Sequence, residues 1–495
     1  MKAAIGALLV SLSCVSTGWA QSPAFNRTTP AIPTNAFPPP ALPGLPSVTN
    51  APLATGAQFP TLAAPPPSIP TLPTPSPADG KTWQPPTPAA LNAPYAEPFL
   101  PPSHDAAFPV DAPNLMGGSG CPLRIWMSAD YLMWWVKRAP QSDPLVVSGS
   151  PADAFPGALD QPNTSVLYGG KGLGFNTHSG LRLSVGTWFG ADNRFGLEVS
   201  GWILDQVSNQ FRSAGDATGT PFLARPFINA LTGNENVYFV SQNFADPTIT
   251  ALMRGGIDIS SSSRIWSWET NALWNFQRGA SSSHSLIAGF RSITVLESLH
   301  ISEALQNLDP AGGVSFRGLP VDPSQRVLTF DRFDTHNTFY GGQLGMRSHY
   351  QRGALSVDVT GKCGLGDMQQ LVIINGLTAL DGPNGKTADS VAGGVLAQTS
   401  NIGRHFRNHF GVVPEGSIDL SYTLFENLVF KLGYNFVYIN SVVRPGALID
   451  RTINPNLVPT DAGYGTPGGP SRPGFQFHTS GIWAQGINLG IELRF

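Results

Sequence analysis

From residue 124 onward, apolar and polar positions alternate with a period of two. Ile125, Met127, Ala129, Tyr131, Met133 and Trp135 share one face of a strand, while Ser128 and Asp130 fall on the other. The pattern returns with Leu181, Leu183, Val185, Thr187 and Phe189, then with Phe195, Leu197, Val199, Gly201 and Ile203. Trp266, Trp268, Thr270, Ala272 and Trp274 form a fourth apolar row, and Leu286, Ala288 and Phe290 a fifth. Tyr340, Gly342, Leu344 and Met346 follow, then Leu355, Val357 and Val359. A strand near Val412–Leu424, one through Leu428, Phe430, Leu432, Tyr434 and Phe436, and a last through Ile487, Leu489, Ile491, Leu493 and Phe495 complete ten.

The connections between these strands alternate in length. Tight turns follow strands two, four, six and eight: Gly190-Ala191-Asp192-Asn193, Arg278-Gly279-Ala280-Ser281, Gln351-Arg352-Gly353 and Phe425-Glu426-Asn427. Strands one, three, five, seven and nine lead into polar connections of roughly 35–55 residues rich in Pro, Gly, Asn and Asp. Short turns at one end and long loops at the other are the signature of a transmembrane barrel. The sequence therefore predicts an all-β, antiparallel, up-and-down transmembrane barrel of about ten strands. The count rises to twelve if Gln370–Leu377 and Val391–Thr399 form a further hairpin. Period-two strands also suit a secreted soluble β-sandwich that binds a partner, but a sandwich gives no reason for the alternating loop lengths.

Upstream, the physics changes. Residues 1–20 read as a secretory signal peptide: Lys2, an apolar run over Ala3–Val10, and small residues before a cut near Ala20. Residues 21–115 hold 26 of the 46 prolines. Proline fixes φ and removes backbone donors, so the extension over 21–120 is expected to be a disordered, semi-rigid periplasmic spacer. The barrel then occupies 121–495. The spacer's candidate partner is the cell wall.

Only 12% of residues are charged, the formal net charge is −3, and no basic patch suggests nucleic acid. After removal of the signal two cysteines remain, Cys121 and Cys363, expected at opposite ends of the barrel and unpaired. No later segment has the roughly 18 consecutive apolar residues that a membrane helix needs.

The charged and amide residues opposite the apolar rows must then face the lumen. They are Glu198, Glu269, Asn271, Arg291, Glu297, Gln343, Arg347, Asp358, Lys362, Asp419, Lys431, Asn435, Glu492 and Arg494. In lipid near the midplane each charge would cost about 2–4 kcal/mol. Such a set either fills the interior as a salt-bridged plug or lines a narrow, charge-selective pore. Ten strands lie near the small end of the barrel range, where side chains fill the interior, so a wide pore is not expected. Leu489, Ile491, Leu493 and Phe495 form an alternating terminal strand that ends on an aromatic residue, the form of a signal read by barrel-assembly machinery.

One family resemblance rests on an ordered set of segments. Ser128-Ala129-Asp130-Tyr131-Leu132-Met133-Trp134-Trp135-Val136-Lys137 resembles the opening strand of a planctomycete outer-membrane family, β-barrel protein type seven, formerly a domain of unknown function. Val166–Gly170, Gly289-Phe290-Arg291, Phe339–Gly345, Thr360-Gly361-Lys362, Ile449–Pro455 and Trp483–Asn488 continue the likeness in order, from about residue 124 to 495. The resemblance implies a place in the outer membrane, in contact with its lipid, and no activity.

Candidate chemistry is sparse. Gly169-Gly170-Lys171-Gly172-Leu173-Gly174 lacks the Lys-Ser/Thr ending of a phosphate loop. His405 and His409 would sit about 13 Å apart on a strand, too far to share a metal. An outer-rim hydrolase would have to gather His300 with Glu303, or Asp331 and Asp334 with His336. No catalytic residue, metal or cofactor is expected. The two leading functional readings are a surface or structural protein with long external loops and a narrow passive pore.

Overall fold

The computed structural model describes residues 124–190, 192–243, 252–309, 313–382 and 385–495. The signal-peptide and spacer expectations, and Cys121, lie outside them. Ten strands form the barrel: β1 (Arg124–Val136), β2 (His178–Phe189), β3 (Phe195–Leu204), β4 (Met253–Arg278), β5 (Ser282–Asn307), β6 (Arg326–Arg352), β7 (Leu355–Asp381), β8 (Gly403–Phe425), β9 (Leu428–Val443) and β10 (Thr479–Arg494). Each pairs antiparallel with its neighbours in chain order. The ring closes where β10 meets β1, from Trp126 opposite Arg494 to Val136 opposite Ala484. Closure leaves no strand edge unpaired in lipid, which is why sheets cross membranes only as barrels.

The outer surface carries an apolar band. On β1 it runs from Ile125 to Trp135, about the 9–11 residues that a tilted membrane strand requires. Leu183, Leu197, Leu344, Leu432 and Leu489 continue it around the ring, all exposed. Phe189, Phe195, Phe276, Phe425 and Phe495 mark its edge at the turn end. Leu344→Arg on β6, where the leucine is 70% exposed, is expected to cost about 2–4 kcal/mol of folding in vesicles. The fraction of protein migrating in the heat-modifiable folded form should fall accordingly.

Strands β4 to β7 are 26 or 27 residues long, more than twice what a span needs. On β4 and β5, beyond the band and toward the long loops, the polarity of the two faces inverts. On β4 the outward row passes from Trp266 to Arg264, Ser262, Ser260 and Asp258, while Ile257 and Ile259 point inward and are buried. On β5, Ser298, His300 and Ser302 face out, while Leu299, Ile301 and Leu305 are buried inside. Water has replaced lipid outside, and loops have replaced water inside.

Those loops fold into the barrel's far end. Short strands Pro144–Ser148, Ser165–Gly169, Leu223–Asn229, Glu235–Ser241 and Thr452–Ile453 make a second, five-stranded sheet. Leu145, Val146, Leu223, Phe227, Val395, Leu396, Leu448 and Ile453 from these loops share one core with Ile259, Ile301, Phe333 and Val372 of the barrel wall.

Two details differ from the sequence reading. The connections after β5 and β7, residues 308–325 and 382–402, are shorter than expected because the strands themselves continue past the membrane. The segment 370–377 belongs to β7, and Thr387–Ala392 pairs beside its outer end, Ala392 opposite Leu377. The ring keeps ten strands. Cys363 is a free thiol on the exposed face of β7.

Candidate functional site in the barrel lumen

Inward positions of the membrane-spanning segments are polar because the outward ones are committed to lipid. The lumen is filled in layers. At the turn end lies an open vestibule of about 500 Å³, walled among others by Trp126, Asp130, Arg182, Asp358, Lys431 and Glu492. Lys431 stands 3.8 Å from both Asp130 and Glu492. Arg494, at the rim, donates to Glu492 at 2.7 Å and is 42% exposed. His349 Nδ1 lies 2.9 Å from Asp358 Oδ1, and Ser417 donates to Asp419 at 3.2 Å.

A charged girdle closes the vestibule's inner end. Glu269 accepts from Lys362 Nζ at 2.6 Å and lies 3.3 Å from Arg291. Arg291 also donates to Glu415, which sits 3.5 Å from Lys362. Arg347 grips Glu198 with two bonds, 2.8 and 3.1 Å. Gln343 donates to Glu269 and to Asn271, at 3.1 and 2.6 Å. On the opposite wall Asn435 donates to Glu415 at 3.2 Å and accepts from Asn488 at 2.6 Å, and Asn488 accepts the Trp134 indole N–H at 2.8 Å. Three carboxylates, Glu198, Glu269 and Glu415, meet three cations, Arg291, Arg347 and Lys362. Arg182 also donates to Asn435 at 3.1 Å, so the girdle interleaves both signs, whereas a selectivity ring carries one sign.

Beyond the girdle the lumen turns apolar. Leu132, Trp134, Trp202, Ile265, Ile293, Val295, Phe339, Met368, Val413, Val437 and Ile482 form a buried layer across it. Phe339, fully buried, owes its place to glycines. A Cβ on Gly341 would stand 2.4 Å from its ring, one on Gly411 2.8 Å and one on Gly364 3.3 Å. Trp134 and Trp202 pack with ring centroids 5.0 Å apart.

Buried polar clasps hold the loops against this layer. Glu297 takes two bonds from the Arg444 guanidinium, one at 2.7 Å, and Arg444 also donates to the carbonyls of Lys137 and Arg138, at 3.2 and 2.9 Å. The Asn337 amide bonds both the N–H and the C=O of Val443, each at 2.8 Å. Farther out, Arg225 bonds Glu303 and, at 3.0 Å, Asp331.

All fourteen lumen candidates therefore sit on the inner side of the wall, but not in one place. Asp358, Asp419, Lys431, Glu492 and Arg494 line the vestibule. Glu198, Glu269, Asn271, Arg291, Gln343, Arg347, Lys362 and Asn435 make the girdle, and Glu297 lies beyond the apolar layer. Sequence reasoning missed Glu415 as a girdle member, along with Asn488, Arg182 and the clasp residues Arg225, Asp331, Asn337 and Arg444. Glu415, Asn488 and Arg182 stood opposite apolar rows and were legible there; the clasps lie in the loops or on the part of β6 beyond the membrane band. Leu489, Ile491, Leu493 and Phe495 lie on the exposed, lipid side of β10.

The hydrolase groupings do not stay whole: Glu303 and Asp331 turn inward, while His300, Asp334 and His336 stay on the outer face. His300 lies 3.3 Å from Asp334 on the outer face, and Arg332 bonds the same carboxylate at 2.6 Å. Glu303 and Asp331 are buried inside. Among the described residues no group of three metal-ligating side chains converges.

A closed ring of ten antiparallel strands, banded outside and polar within, defines an outer-membrane-type β-barrel. Over residues 126–495 the sequence matches the family described as "Putative beta barrel porin-7 (BBP7)", and the chain belongs to that family, with the outer-membrane location it carries. No curated protein matches the chain. Among solved structures it is similar to the outer membrane protease OmpT from Escherichia coli, at 8% identity over 75% of this chain and 96% of that one, with a TM-score of 0.31. A Pseudomonas aeruginosa FadL homologue aligns at 8% identity over 75% and 90%, TM-score 0.16. The Pseudomonas putida toluene transporter TodX aligns at 7% over 77% and 90%, TM-score 0.14.

Proposed function

We propose that this protein is a non-conducting, non-enzymatic surface protein of the outer membrane: a barrel shut by its own interior that carries a rigid, loop-filled cap outward. One observation carries the reading. The ion-paired girdle, the apolar layer around Phe339 and the loop-filled core follow one another across the lumen. An ion crossing would have to break the paired girdle and then enter a layer of buried, largely apolar side chains that offers little to replace its water, and an unpaired charge in such surroundings is strongly disfavoured. The long upper strands support a projecting role, because the polar outer rows of β4 and β5 and the packed interior add height without adding lumen.

In this reading the long loops are extracellular and the turns periplasmic, so the segment before Arg124 starts on the periplasmic side. A cleaved signal peptide and a proline-rich spacer reaching toward the cell wall fit that orientation. β10, as the strand that closes the ring, is the one offered to the assembly machinery.

Planar-bilayer recording tests the proposal. Folded protein, verified by its heat-modifiable mobility, is expected to insert without unitary current steps. Steady steps from the wild-type chain would identify a pore instead.

A further inference from the structure

The cap holds a second cavity, of about 490 Å³, that the closed barrel does not explain. Small-ligand sites occupy about 300–1,000 Å³ and pair an apolar wall with a few convergent polar groups. The apolar wall here includes Tyr238, Phe239, Leu305 and Val314, with Tyr238 backed by Phe227, their rings stacked with centroids 4.4 Å apart and planes at 10°. Its edge is polar: the Tyr238 hydroxyl donates to Asp461 Oδ2 at 3.2 Å. The other Asp461 oxygen accepts the Gly463 N–H at 2.8 Å. Burial raises the Asp461 carboxyl above its ordinary range, and burial with the neighbouring carboxylate raises the Tyr238 hydroxyl.

Three amides line the same space. Asn229 and Asn236 spend their side-chain oxygens on the N–H groups of Leu231 and Val237, at 2.9 and 2.7 Å. Together with Asn456, they leave amide nitrogens that donate to no protein group among the described residues. Among the described residues no Lys, Arg or His lines the cavity, and the other carboxylate there, Glu303, is paired with Arg225.

From the amide donors, the Asp461 carboxylate and the aromatic wall, we infer that this cavity is a sugar-binding site for a neutral or amino hexose. Aromatic faces take the apolar face of a pyranose ring, amides donate to its hydroxyls, and a carboxylate accepts from a hydroxyl or an ammonium. Anionic sugars are disfavoured, because their charge would meet Asp461 with no cation to answer it. The inference stands apart from the closed-lumen reading: a conducting barrel could carry the same cap.

Saturation-transfer NMR on the full chain in detergent tests it, with glucose, glucosamine, glucuronate and glucose 6-phosphate as probes. Glucose and glucosamine are expected to receive saturation, and the two anionic sugars are not. Asp461→Asn should weaken glucosamine about tenfold, the scale of one charge-assisted hydrogen bond, and glucose less. Asn456→Ala should weaken both sugars, and unchanged heat-modifiable mobility will show that each variant is folded. Tyr238→Phe keeps the stack and releases the carboxylate, so it should retain binding if either of the other variants misfolds. Absence of saturation transfer to every probe, anionic sugars binding as well as glucosamine, or unchanged glucosamine affinity in folded Asp461→Asn would each overturn the assignment.

Discussion

Arg291→Met is expected to cost about 3–5 kcal/mol, enough to leave much of the protein unassembled. Arg291 is 1% exposed and stands between Glu269 and Glu415. Its removal leaves two buried carboxylates sharing Lys362, at 2.6 and 3.5 Å. The cost is that of stranding charge rather than of losing attraction, since breaking a buried pair from one side is worse than replacing both partners. Arg291→Met combined with Glu415→Gln should therefore recover much of the loss, because Lys362 can then serve Glu269 alone. Urea titration of the folded, heat-modifiable form measures both. A neutral single variant, or a double variant no better than the single, would show that the girdle is not a closed ionic network.

Asp331→Ala is expected to open the cap while leaving the membrane segment intact. One oxygen of Asp331 accepts three successive backbone N–H groups, Val395, Leu396 and Ala397, at 2.9, 3.0 and 2.8 Å. The other takes Arg225 at 3.0 Å, and the residue is 1% exposed. Truncation leaves three buried amides without that acceptor and Arg225 with Glu303 alone. With roughly 1–3 kcal/mol for each buried group left unsatisfied, the loss should reach about 3–5 kcal/mol locally. Hydrogen exchange at residues 395–397 should rise by orders of magnitude and protease should cut near Ala397. Asp331→Asn keeps one acceptor oxygen and should do less. Protection unchanged in Asp331→Ala would mean that apolar packing alone seats this loop.

The barrel was legible because lipid imposes one rule on every spanning strand. Ile125–Trp135 and Ile487–Phe495 announce themselves by alternation, and tight turns such as Gln351-Arg352-Gly353 set the hairpins. What stayed hidden lies past the membrane. There Ile257, Ile259 and Leu299 take the inner face and Ser260 and Ser298 the outer, so the row that was apolar becomes polar and the strand reads as ending. The pairings of Arg225 with Glu303 and Asp331, and of Arg444 with Glu297, could not be read from the chain because the partners lie 78 to 147 residues apart. Spacing cannot reveal a pairing that depends on how five loops fill one mouth. The girdle was legible as a set of inward residues, yet not as an ion-paired layer of both signs, since the pairing depends on register across strands.

The central claim is that a single outward row passes from lipid into water partway along β4 and along β5. Spin labels at Leu344→Cys and Leu432→Cys in the apolar band, and at Ser260→Cys and Ser298→Cys beyond it, test this in a cysteine-free background in bilayers. Labels at 344 and 432 should be relaxed by oxygen and shielded from a water-soluble nickel chelate, and labels at 260 and 298 should show the reverse. Chelate access at 344 and 432, or oxygen-dominated relaxation at 260 and 298, would contradict it.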